Sequence, residues 1–169
     1  IKNYGNNNII TNNRIRNSFR GIQIFGSGNI ISNNLVEGNA KGIHLSSDSN
    51  IVKNNLIRNN KKSQGWGLAS WKGFDNKFVN NKVYNSRYGI VLRDANNTVL
   101  ECNKIYNNSQ KDLYIYYRRG SSDYIITSIN ESYEKTYIGK GNKFKELSRD
   151  CNVECSWENN SCIDNYWLE

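Results

Sequence analysis

NIITNNRIRNSFRGIQIFGSG, residues 8–28, is followed at once by NIISNNLVEGNAKGIHLSSDS, residues 29–49, and the two align position by position. The alignment continues from Asn50 with NIVKNNLIRNN, an interruption KKSQGW and then GLASWKGFD. It resumes from Asn76 with NKFVNNKVYNSRYGIVLRDAN, and from Thr98 with TVLECNKIYNNSQKDLYIYYRR. Successive units start 21, 21, 26 and 22 residues apart. The long step holds extra residues around 60–66 and near Gly73, where a loop can leave the repeat. Self-similarity at such a period marks an architecture of stacked repeats.

Within each unit the apolar residues fall in columns. Ile10, Ile31, Val52, Phe78 and Leu100 form one, and Ile15, Val36, Ile57, Val83 and Ile105 the next. Ile22, Ile43, Leu68, Ile90 and Leu113 form a third, continued by Ile24, Leu45, Leu92 and Ile115. The spacing is period two in short bursts broken by Asn, Gly or Ser, which predicts short strands joined by tight turns rather than helices. One unit cannot bury its apolar side alone; stacked units align the columns into a continuous core.

The 31 Asn residues fit the same scheme, because Asn tolerates left-handed turns and hydrogen-bonds locally. Asn13, Asn34, Asn55, Asn81 and Asn103 are expected to form a ladder of side-chain amides bonding to the coils above and below. Gly21, Gly42, Gly67 and Gly89 mark a corner that needs either close approach or positive φ.

The pattern N-I-I-x-N-N-x-I-x-x-N-x-x-x-G-I-x-L over residues 6–116 resembles the right-handed parallel β-helix repeat of the pectate-lyase-like superfamily, and most closely its carbohydrate-associated branch with NosD-type proteins. The resemblance implies an all-β, elongated coil stack, secretion to the extracellular side or cell surface, and dealings with polysaccharides. It does not choose among lyases, hydrolases, epimerases, binding proteins and structural spikes. After residue 116 the register fades, and 117–169 reads as irregular last coils and a C-terminal cap carrying three of the four Cys.

Cys102, Cys151, Cys155 and Cys162 lack zinc-site spacing and read as two disulfides of unassigned pairing in an oxidising compartment. Asn96, Asn107, Asn130 and Asn159 open N-x-S/T sequons, glycosylation sites in a host that glycosylates secreted proteins. A single His argues against a multi-histidine zinc or copper site. No cofactor is expected, with calcium the exception should the chain be a lyase.

Along the G-I-x-L strand the outward column is Gln23, His44, Ala69, Val91 and Tyr114; the next is Phe25, Ser46, Trp71, Arg93 and Tyr116. Trp66, Lys72, Tyr88, Tyr117, Arg118 and Arg119 stand nearby. Rings interleaved with cations suit a sugar polymer, and Trp66, Trp71, Arg93, Tyr114 and Tyr116 are the candidate contacts. The same rings could instead cover coil edges and stack for stability. Lyase chemistry would draw on Asp48, Asp75 and Asp94 with Lys72 or Arg93 as base, but these Asp share no repeat offset. His44 with Asp48 is the one acid–base pair to name. Two or three close carboxylates, as glycosidases need, are not found, and the reading leans away from an enzyme.

The formal charge is +8 without a block of five cations, which favours a solvated face or attraction to acidic polysaccharide over nucleic acid. No apolar run approaches a membrane span. The chain opens at Ile1 without a leader pattern and enters its repeat almost uncapped, which reads as a processed or partial chain. The expectation is a secreted, non-catalytic structural or adhesive β-helix that stacks on copies of itself or a larger assembly through the first coil. The alternative is a carbohydrate-binding or polysaccharide-processing fragment, lyase- or epimerase-like, acting on acidic polysaccharide.

Overall fold

A computed structural model describes residues 1–62 and 65–116 together with strands Thr127–Ile129 and Lys143–Lys145. Every described regular element is a strand, and the strands stack as a parallel β-helix. Coils 1 to 5 begin at Asn8, Asn29, Asn50, Asn76 and Thr98. Coil 2 shows the plan: Ile30–Ser32, a turn, Leu35–Glu37, a turn, then the longer Lys41–Leu45. Equivalent strands stack into three sheets. The long strands make sheet A, the Asn-Ile-Ile strands sheet B, and the strands after the Asn pair sheet C.

Register follows the repeat offset. Ile22, Ile43, Leu68, Ile90 and Leu113 pair in sequence across sheet A. Ile10, Ile31, Val52, Phe78 and Leu100 do so across sheet B. These columns are the core, fully buried from coil 2 to Leu113, while Ile10 and Ile15 in coil 1 are partly exposed. In coil 3 the position opposite Leu45 and Leu92 is Ser70, which the apolar columns leave blank. It is fully buried, and its hydroxyl accepts from Asn76 Nδ2 at 3.1 Å.

The turns explain the Asn usage. Fifteen described non-glycine residues have left-handed φ, and ten of them are Asn. The first residue of each Asn pair is one of these: Asn12, Asn33, Asn54, Asn80 and, in coil 5, Cys102. The second residue builds the expected ladder, each Oδ1 accepting the backbone N–H of its counterpart one coil earlier, as from Asn13 to Asn34 (2.9 Å) and from Asn81 to Asn103 (3.0 Å). Two further ladders go beyond that expectation. Asn8, Asn29, Asn50 and Asn76 form one, and Ser18, Asn39, Asn60, Ser86 and Asn108 the other. All three corners are thus held by the same bond, which satisfies backbone groups that burial would otherwise strand.

Of the two reasons offered for the glycine column, close approach is the right one. None of Gly21, Gly42, Gly67 and Gly89 has positive φ. A Cβ at Gly42 would instead run into the carbonyl oxygen of Gly67 in the next coil.

Beyond coil 5, Lys143–Lys145 adds a parallel strand to sheet B beside Val99–Glu101, and Thr127–Ile129 pairs antiparallel with sheet A at Leu113–Ile115. The rest of the cap, with Cys151, Cys155, Cys162, Asn130 and Asn159, lies outside the described residues.

Candidate functional site

On sheet A the residue before the column glycine and those two and four after it face outward, while the glycine and its successor both turn to the core, and the parallel register lines the outward residues into three columns. Arg20 faces Lys41 at the start of the strands, and Trp66, Tyr88 and Lys111 follow in later coils. The middle column is Gln23, His44, Ala69, Val91 and Tyr114. The third contains Trp71 opposite Arg93 and the backbone of Tyr116. The middle column and the alignment of Trp71 with Arg93 therefore follow the register expected from the sequence. None of the described residues in these columns is acidic.

Small Ala69 and Val91 lie between large neighbours, so the surface dips into a recess of ≈ 380 Å³ lined by Trp66, Trp71, Arg87, Tyr88, Val91, Arg93 and Tyr114. Trp66, Ala69 and Val91 form a buried cluster outside the solenoid core, with Trp71, Tyr88 and Tyr114 packed against it. Tyr88 and Tyr114 stack at 5.5 Å between centroids, and the Arg93 guanidinium lies 4.5 Å from the Trp71 ring centroid. Trp66 and Trp71 sit 4.9 Å apart, tilted, with His44 edge-on to both at 5.7 and 4.8 Å.

His44 is buried, and that burial, with Arg20 and Lys41 nearby, pulls its pKa down to about 4, so the ring is neutral near pH 7. Burial lowers the Lys41 pKa as well, with Arg20 as the second cause. Lys41 escaped the sequence reading, although the residue before each column glycine (Arg20, Lys41, Trp66, Tyr88) was a readable signal.

The other candidates disperse. Asp48 Oδ1 accepts the Phe74 backbone N–H at 2.8 Å, whereas the His44 Nε2 contact is Ser46 Oγ at 3.3 Å, so the named acid–base pair is not joined. Lys72 and Asp75 are exposed turn residues with left-handed φ. Asp94 follows Arg93 in a turn and lies 3.9 Å from its guanidinium. Among sequons, Asn107 is exposed on a turn and Asn96 is half-buried. Cys102 is not a free thiol. Tyr117, Arg118 and Arg119 lie outside the described residues.

A family described as "Periplasmic copper-binding protein (NosD)" has a model that matches residues 1–167. No curated protein and no solved structure matches the chain. The family description corrects the expectation of no cofactor or, at most, calcium: copper is the metal attached to this family. The described residues do not fit it, since copper favours imidazole and sulfur donors. His44 is the one His, Met is absent, and no group of three His, Cys, Asp or Glu comes together among the described residues. With a registered repeat, three stacked parallel sheets and a family match over nearly its whole length, the chain belongs to the NosD family of parallel β-helix proteins.

Proposed function

We propose that the chain is a non-catalytic β-helix of the periplasmic or extracellular side whose sheet A face binds acidic polysaccharide. The observation that carries this reading is the recess at Val91, where Trp66, Trp71, Tyr88 and Tyr114 stand with Arg87 and Arg93 on a face whose three outward columns hold no described acidic residue. Rings cover sugar faces, and guanidinium groups bond hydroxyls and carboxylates in two-pronged geometry. The family description supports the compartment, and disulfide bonding of Cys102 suits an oxidising one.

Affinity electrophoresis in gels containing polygalacturonate or alginate tests the reading. The expected result is retardation of the wild-type chain and loss of at least tenfold in affinity in Trp71→Ala and Arg93→Ala. Retardation that those variants leave unchanged would sink it. End-to-end assembly is a second reading, supported by the partly exposed Ile10 and Ile15, whose equivalents in later coils are buried. That surface suits another coil, whichever chain supplies it. Ordered filaments in electron microscopy of the native protein would favour this reading.

A further inference from the structure

Where coils 2 and 3 meet on sheet A, several polar groups gather without a protein partner. Lys41 is only 9% exposed as a residue and its ammonium tip keeps an opening to solvent, but no described carboxylate or carbonyl bonds it; its neighbours are the rings of Trp66, Trp71 and Phe19 at 4.2, 5.8 and 5.5 Å. Cation–π attraction offsets part of the desolvation cost, but an ammonium carries three N–H donors and rings accept them poorly. The Trp66 and Trp71 indole N–H groups are buried without a partner, and so is Nδ1 of His44. Trp66 is 4% exposed and His44 5%.

Buried polar groups in folded proteins are paired in about nine cases of ten, so isolated orphans occur but rarely gather. Here they gather, and those with fixed protonation are all donors. What is missing is an acceptor. Arg20, the nearest further charge, adds to the positive field and already bonds Gln23 Oε1 at 2.8 Å. A neutral hydroxyl could take one donor and would leave the ammonium uncompensated. A carboxylate, sulfate or phosphate has both the charge and enough acceptor oxygens. Trp66 and Trp71 also line the recess, so such a group would continue a chain already seated there.

We infer that Lys41, the Trp66 and Trp71 indoles and His44 form an anion seat that receives the acidic group of a saccharide bound in the neighbouring recess. The inference rests on the proposed reading of sheet A and deepens it by assigning the charge recognition to Lys41, beside the stacking surface rather than within it.

The test uses the full chain and two matched probes: a galacturonate oligomer, and the same oligomer with its carboxylates methyl-esterified. Binding is followed by isothermal titration and by the indole N–H resonances, assigned with Trp66→Phe and Trp71→Phe. Lys41→Met keeps the alkyl stem over the rings and removes the charge; Lys41→Gln is a second variant, and circular dichroism checks that each folds. The expected result is tighter binding of the acid oligomer, displaced Trp66 and Trp71 signals, and at least a tenfold loss for the acid oligomer alone in both Lys41 variants. If both oligomers bind and neither variant changes the preference, the anion seat is wrong while the saccharide face stands. If neither oligomer binds but inorganic sulfate or phosphate displaces both indole signals in a Lys41-dependent way, the seat stands with a free oxyanion as occupant, and the polysaccharide reading falls. If no probe displaces the indoles, the seat is overturned. Equal binding of a single-stranded oligonucleotide would overturn the saccharide assignment.

Discussion

Asn34 hangs from Asn55 by two bonds to one atom: its backbone N–H and its Nδ2 both donate to Asn55 Oδ1, at 2.9 and 3.0 Å. Asn55 Nδ2 in turn donates to the Ile31 and Lys53 carbonyls and to Asn81 Oδ1. One buried side chain thus ties three coils together. Asn55→Ala strands several of these groups at once, at about 1–3 kcal/mol for each one left without a partner. The expected loss is about 3–5 kcal/mol in urea unfolding, with Asn55→Asp at least as damaging because a carboxylate oxygen would face the Ile31 carbonyl. A loss under about 1 kcal/mol would mean that the ladder does not hold the corner.

The neighbour of that ladder residue has a different job. Asn54 is exposed and sits at φ 56°, where its role is conformational. Asn54→Gly should stay within about 1 kcal/mol of wild type, whereas Asn54→Val should lose about 1–2 kcal/mol because a β-branched side chain crowds the left-handed backbone. Thermal unfolding of the two variants side by side gives the comparison. Equal stability would remove φ as the reason for Asn at the first place of each pair.

Gly42 has a steric role. Gly42→Ala drives a methyl into the Gly67 carbonyl of the next coil, and overpacking of this kind costs about 1–3 kcal/mol or more. A lowered melting temperature or loss of soluble protein is expected. An unchanged melting temperature would show that the coils can separate enough to admit a methyl group.

His44 makes stability depend on pH. Its folded pKa of about 4 lies below the ordinary 6.5, so between those values the unfolded chain binds a proton that the folded chain does not. Stability conferred by the neutral ring is therefore complete above about pH 6.5 and falls as pH drops towards 4, by at most about 3 kcal/mol. His44→Gln should flatten that part of the curve. The imidazole signals of the folded wild type should show no protonation above about pH 5; a midpoint near 6.5 would refute the burial argument.

The core columns, the turn positions and one of the three ladders are legible in the order of residues, because in a translational repeat a constant offset along the chain becomes a contact between coils. The other two ladders obey that rule too: Asn29 and Asn50 are 21 residues apart, like Asn34 and Asn55. They are harder to see because Ser replaces Asn at Ser18 and Ser86 in one of them, and because Asn next to an apolar strand reads as turn alone. The candidate site is legible only in part. Its outward columns obey the offset, so Trp71 opposite Arg93 is foreseeable. The contact of Lys41 with Trp66 lies within the column before the glycines, where the insertion in coil 3 obscures the offset, while the meeting of His44 with Trp71 is not foreseeable, because it runs sideways between columns. The pairing of Asp48 with the Phe74 backbone rather than with His44 is hidden by the same insertion. Sequence alone therefore determined the stack and its register, through periodic burial and turn chemistry. Tertiary structure decided which surface groups meet and which are left without a partner, because ring orientation and desolvation depend on every neighbour of a side chain at once.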